Sequence, residues 1–408
     1  MRDADLIVVG GGSGGAVLAA RCSAHMDVLL LEAGDAPTQV PDAVAGPNFH
    51  RAYASPGRRW PDGYASGRGL GGSSAVNAMV ASIDPADIDS LPIDCRVASA
   101  GERGPVGEAL LRAGPSFGLA TAPLLLTRSA DGARCSVVEA YLAPALRGGR
   151  LTVLGDALVD RVLLEGGAVR GVRLADGRSF AAPLVAVAAG AVRSPGVLVR
   201  SGIALAGVGV GLQEHPTTTF PLRLRSQLTA EEMARVVSVT VGGTASWRVA
   251  GDVQVVASDA VDASSAALLV SLLHVESRGE VRVVSPDPAA EPVFEPRLLT
   301  DERDADGMRH AEGLVEGLLR SDALVEVAEW SGERVGGGAY HATSTCRMGR
   351  PSDPLAVVDA EGRVFGTEGL LVCDASVFPR APRVNPHIPV VRFAEHAAAA
   401  LCRGRNTA

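Results

Sequence analysis

The feature that most constrains this chain lies within its first 32 residues. An apolar run, Leu6 to Val9, leads into a turn that fits G-x-G-x-x-G at Gly10, Gly12 and Gly15. Ser13 to Ala24 follows with small and apolar residues at helical spacing, and Val28 to Leu31 is apolar again. This order predicts a strand, a tight turn, a helix and a second strand parallel to the first. Glycines permit the turn, let the backbone approach a pyrophosphate closely, and let the helix pack against the strand. The first N–H groups of the helix and the positive end of its dipole then face the anion. Glu32 falls at the end of the second strand, where a carboxylate can bind ribose hydroxyls and disfavours a 2′-phosphate. Taken alone, the fingerprint also fits an ordinary glycine-rich turn.

A second cluster of small residues narrows the ligand. The run GRGLGGSSAVN, Gly67 to Asn77, offers further backbone N–H groups around Gly71 and Gly72. An extended FAD needs such a second cradle and NAD does not. Downstream, LTVLGDALVDRVLLEGGAVRGVRLADGRSFAAPLVAVAAGA reads as a small antiparallel ribbon feeding a buried strand at Leu184 to Ala188. Residues 216–333 alternate over Val236 to Val241, Val253 to Ala257 and Glu280 to Val284, with one amphipathic helix at Asp304 to Leu319. Gly369 to Asp374 returns to the first style, and a helix is expected from about His387 to Cys402.

The expected fold is therefore α/β, α+β overall: a Rossmann-like parallel-sheet domain that binds FAD, with an inserted antiparallel-sheet substrate domain. The flavin domain is expected from 1–81, 140–215 and 340–408, the substrate domain from 216–339, and a shortened linker or lid from 82–139.

Composition removes several alternatives. All 38 basic residues are Arg, so no Schiff-base or pyridoxal-phosphate lysine exists. A formal charge of -8 leaves no basic field for nucleic acid. The six cysteines form no C-x-x-C pair, and the histidines show no metal spacing, so no metal site is expected. Apolar runs such as Ala266 to Leu273 are too short to span a bilayer, and no basic leader precedes the first strand, so a cytoplasmic location is expected. No G-x-S-x-G elbow supports a serine hydrolase.

The Gly67 to Asn77 run resembles the first signature of the glucose-methanol-choline (GMC) oxidoreductases, and GAVRSPGVLVRSGI, Gly190 to Ile203, resembles the second. The likeness continues through VGLQEHP (Val210 to Pro216), YHATSTCRMG (Tyr340 to Gly349), GLLVCDAS (Gly369 to Ser376) and VNPHIPVVRFAEHAA (Val384 to Ala398). The resemblance implies that Gly12, Ser13, Gly15, Glu32 and Ala33 hold the ADP half of FAD. It implies that Val159 meets the adenine, and that Asn77, Asp374 and Ala375 lie along the ribityl chain and flavin. It further implies oxidation of an alcohol, with His341 as principal base and His387 as its partner.

The chemistry suits those residue types. An alcohol carbon that gives up hydride to flavin N5 must also lose a hydroxyl proton, and neutral imidazole is matched to that transfer near neutral pH. Asn385 is a good N-cap and Pro386 a good N1 residue, which would put His387 in the first helical turn, where the dipole disfavours imidazolium. Both histidines also fit a simple packing role. His215, in the QEHP turn, is expected to be architectural.

Two departures from the family pattern stand out. Relatives are usually longer, with the shortfall between Ala81 and Leu151 and in the substrate region, and Ser344 stands where Gly is common. No His or Cys sits at a flavin-linkage position, so FAD is expected to be non-covalent. The partners implied are a small alcohol and an electron acceptor: oxygen, a quinone or another carrier. Two alternative readings are an enzyme resembling the mycofactocin-associated branch, which re-oxidises a peptide-derived carrier, and a non-redox, FAD-containing hydroxynitrile lyase.

Overall fold

The computed structural model describes residues 4–36, 45–46, 48–60, 64–81 and 90–403. Five parallel strands form its first sheet, in the spatial order Leu370–Val372, Leu184–Val187, Leu6–Val9, Val28–Leu31, Leu151–Leu154. The inner strands read as unbroken apolar runs because both faces are covered, and Leu6, Ile7 and Val8 are wholly buried. Each such side chain contributes about 1.5–3 kcal/mol by leaving water.

The helix Ser13–Cys22 covers one face beside the last helix, His387–Arg403. Arg21 donates to the Glu395 carboxylate through Nε and NH2, and the Tyr141 hydroxyl donates to the same group. Arg21 follows Ser13 by the interval at which Glu395 follows His387. The two helices therefore run parallel and in register, so their N-termini start side by side.

A seven-stranded antiparallel sheet forms the second layer, from Ala328–Trp330 through Pro216–Leu224, Ser265–Leu272, Val253–Ser258 and Val239–Ala245 to Ala120–Pro123; Val335–Gly338 also pairs with Pro216–Leu224. Its core joins Phe220, Val255, Leu268 and Val270 to Met308, Ala311 and Val315 of helix Glu302–Leu319 and to Leu110 of helix Pro105–Ala113. The segment read as a linker or lid, 82–139, thus supplies a packed helix and an edge strand to this layer, and its residues 82–89 lie outside the described ones. The composition of Pro105–Ala113 explains this: Val106, Ala109, Leu110 and Ala113 make one apolar stripe, which is buried. The ribbon after Leu154 is a three-stranded sheet, Val159–Glu165, Ala168–Leu174 and Ser179–Ala181.

This arrangement places the functional loops together. Gly10 follows one parallel strand, Glu32 a second, Ala188 to Gly190 a third and Asp374 a fourth, all at the carboxyl edge of the sheet. Ligands of open α/β sheets bind at that edge.

Candidate active site

The two glycine turns meet. Gly71 N donates to Gly11 O at 2.9 Å. Gly72 has φ +50°, and a Cβ there would stand 2.9 Å from the Gly12 Cα, so the second turn does not tolerate a side chain at the crossing. Gly15 carries the helix against the strand, because a Cβ would fall 2.0 Å from Gly10 O.

Above this crossing opens a cavity of about 990 Å³. Gly10, Gly12, Ser13, Glu32, Ala33, Gly72, Asn77, Val159, Asp374 and Ala375 line it together with His341 and His387. Gly15 and Gly71 do not line it but shape its floor from behind. The volume is at the upper end of the roughly 300–1,000 Å³ usual for ligand pockets.

Two acids act first as ties between loops. Glu32 is buried; its Oε2 accepts from Gly11 N at 2.7 Å, and its Oε1 accepts from Gly34 N at 2.9 Å and Gly69 N at 3.0 Å. Three loops are thereby pinned by one carboxylate. Asp374 accepts from Gly190 N, Ser194 Oγ and Ser376 N and joins the loops after two parallel strands. Burial pushes its carboxyl above the ordinary range despite these donors. Asn77 Oδ1 accepts from Met79 N at 3.0 Å and from the guanidinium of Arg134 at 2.8 Å. Arg134 also donates to the Ser74 and Asn77 carbonyls, and burial lowers its pKa to about 10. Sequence reading missed Arg134, since nothing near it in the chain marks it.

The histidines are arranged differently from a simple pair. His387 opens its helix, and its Nδ1 lies 2.9 Å from Ser13 Oγ. Its Nε2 is closed to solvent and has no hydrogen-bond partner among the described residues. Burial first, then Arg134, lowers its pKa to about 4. His341 is half-buried; its Nδ1 lies 2.9 Å from His215 Nδ1 and its Nε2 lies 3.3 Å from Asn385 Nδ2. Burial and the neighbouring His215 hold it well below the usual histidine range. Both rings are therefore neutral at physiological pH.

Two expectations need correcting here. His215, expected to be architectural, is the ring partner of His341, with centroids 5.1 Å apart and planes at 88°. Asn385, expected as an N-cap, turns its amide to His341, while Pro386 O accepts the first bond of the helix, from Val390 N. Pro386 thus stands one position earlier than the N1 place expected for it.

Glu214 fastens the backbone around this pair. Its carboxylate accepts from His215 N at 2.9 Å, from His341 N at 2.8 and 3.0 Å, and from the Tyr64 hydroxyl at 3.2 Å. Burial raises its pKa to about 7 against the pull of these donors. Tyr340 and Ser344 bracket His341 with φ +61° and +71°. Such left-handed conformations in non-glycine residues collect at functional sites.

The residues present fit FAD. Two bare backbone turns converge, a cavity extends from them past Val159 on one side and the histidines on the other, and His387, which lines it, has a buried Nε2 with no hydrogen-bond partner among the described residues. Among the described residues no group of three or more His, Cys, Asp or Glu could hold a metal ion, and no helix is long and apolar enough to cross a membrane.

Comparison with known proteins agrees with this geometry. Family models described as GMC oxidoreductase match residues 112–217 and 275–394. A GMC-type oxidoreductase encoded in the thcA 5′ region of Rhodococcus erythropolis is 30% identical over 498 aligned positions, covering 98% of each chain. An oxygen-dependent choline dehydrogenase of Stenotrophomonas maltophilia is 27% identical, covering 98% of this chain and 95% of its own. Among solved structures, pyridoxine 4-oxidase from Mesorbium loti superposes with a TM-score of 0.84 at 25% identity, covering 98% of this chain and 99% of its own. Formate oxidase shares the fold at a TM-score of 0.86 and 17% identity.

Proposed function

Because the chain belongs to the GMC oxidoreductase family and its cofactor is FAD, we propose that it oxidises the CH–OH group of a small alcohol, with His341 taking the hydroxyl proton. The observation that carries this reading is the His341 ring: neutral, on the cavity wall, and held between His215 and Asn385. When bound, oxidised FAD supplies a hydride acceptor at its flavin ring.

The chain's own groups do the rest. Gly10, Gly12, Ser13, Glu32 and Ala33 hold the ADP half, and Val159 meets the adenine. Asn77, Asp374 and Ala375 lie along the ribityl and flavin side, with Gly15 and Gly71 shaping the turns. His341 accepts the proton. His387, at a helix N-terminus, favours negative charge that develops beside it. Thr217, Thr219, Gln254, Ser258 and Ser271, all on the antiparallel sheet, form the wall on which residues 216–339 choose the substrate. Oxygen or another carrier then removes the electrons.

The test is anaerobic. FAD-loaded protein mixed with a panel of alcohols bleaches with its substrate, and His341→Ala keeps its flavin yet reacts about 10²- to 10⁴-fold more slowly. A protein that never takes up FAD, or an unchanged rate in the variant, would overturn the reading. Peroxide formation against dye reduction then identifies the acceptor.

A further inference from the structure

His215 is wholly buried, yet it touches the ring proposed as the base. Two imidazole nitrogens 2.9 Å apart require one proton between them, since two lone pairs or two N–H groups would repel. The surroundings decide which ring carries it. At one end, the Asn385 amide nitrogen faces His341 Nε2, and an amide nitrogen only donates, so Nε2 holds a lone pair. A neutral His341 then carries its proton on Nδ1. At the other end, His215 Nε2 is buried and has no hydrogen-bond partner among the described residues, so His341 is the ring's one side-chain partner there. With the shared proton on His341 Nδ1, His215 Nδ1 is the acceptor and the His215 proton sits on Nε2. The Asn385 contact sets the register: His341 Nδ1–H donates to His215 Nδ1.

The backbone builds this contact. One carboxylate, Glu214, takes the main-chain N–H of both His215 and His341, so the two rings are held from a common anchor. The strand Pro216–Leu224 starts at the next residue and fixes His215 from the other side.

We propose that His215 is a positioning residue: it locks His341 in the tautomer whose Nε2 carries the lone pair, turned to Asn385 on the cavity wall, and it accepts the Nδ1–H bond that strengthens when His341 becomes charged. This rests on His341 being the base. In the step itself the alcohol O–H bond breaks, the proton bonds to His341 Nε2, and the Nδ1 proton stays on His341, donated to His215.

The experiment is nitrogen NMR of FAD-loaded protein labelled with ¹⁵N-histidine, with the His341 signals identified by their loss in His341→Gln. In the wild-type protein Nδ1 is expected to be the protonated nitrogen of His341 and Nε2 the bare one. His215→Leu removes the acceptor, so the Nε2–H form appears and kcat falls about tenfold or more with little change in KM. His215→Gln, whose carboxamide oxygen can accept from Nδ1–H, restores the wild-type tautomer and most of kcat. An Nε2–H tautomer in the wild-type protein overturns the proposal, as do equal losses in the Leu and Gln variants. If His215→Leu does not fold, the wild-type tautomer still decides. Full activity in His341→Ala would instead sink the assignment of the base, a result separable from the tautomer.

Discussion

Ser13 and His387, 374 residues apart in the chain, meet with Oγ 2.9 Å from Nδ1. The contact joins the N-terminus of the first helix to that of the last, so the loop proposed to cradle the dinucleotide also holds the His387 ring. A neutral hydrogen bond of this kind contributes about 0.5–1.5 kcal/mol. Ser13→Ala is expected to bind FAD and to lose about two- to tenfold in the rate of flavin reduction, measured by stopped-flow under anaerobic conditions. An unchanged rate would mean that Ser13 does not orient His387.

Glu32 cannot be replaced by its amide. Its two oxygens serve Gly11 on one side and Gly34 and Gly69 on the other, and a glutamine would turn an NH₂ group toward one of those N–H donors. Glu32→Gln should lose about 2–4 kcal/mol of stability, since hydrogen bonds to a charged acceptor are worth about 1.5–3 kcal/mol each. Urea unfolding and FAD titration measure it; wild-type stability in the variant would refute the tie between the loops.

Ser344 adopts φ +71° while fully buried, a backbone conformation that favours Gly. Its hydroxyl donates to Thr343 Oγ1 at 3.2 Å, a weak return for a left-handed backbone that costs about 1–2 kcal/mol. Ser344→Gly is expected to raise stability by about 0.5–1 kcal/mol after the extra chain entropy of glycine is subtracted. A lower melting temperature in the variant would show that the hydroxyl matters more than the strain.

His215 also sets a pH dependence. Its folded pKa is lowered from 6.5 to about 4 by burial. Below the higher value the unfolded chain binds a proton that the folded chain refuses, so the stability it contributes is complete above about pH 6.5 and drains away as pH falls toward about 4. The upper bound is on the order of 3 kcal/mol. His387, with the same direction and range, adds to the slope, while Glu214 and Asp259, whose carboxyls are raised to about 7 and about 6, oppose it. Those three groups remain in His215→Gln, so the wild-type protein should lose more stability than the variant between pH 6.5 and 4.5. Parallel curves from urea titrations across that window would contradict a buried, neutral His215.

Short-range patterns were readable in the residues themselves. The strand at Leu6–Val9 and the helix from Ser13 follow from apolar runs and glycines a few positions apart, and the helix over Glu302–Leu319 appears as an amphipathic repeat. The edge strand Ala120–Pro123 was not readable, because four residues of Ala, Thr and Pro have no strand pattern until Val239–Ala245 lies beside them.

By itself the sequence determined the glycine turns and the kind of cofactor the chain uses, because turn geometry and family signatures are written in neighbouring residues. Only the tertiary structure decided which groups touch. His341 meets His215 across 126 residues, Arg134 reaches Asn77 across 57, and Ser13 reaches His387 across 374. Such contacts exist because separate loops are carried to one edge of a parallel sheet, and no local periodicity encodes that convergence.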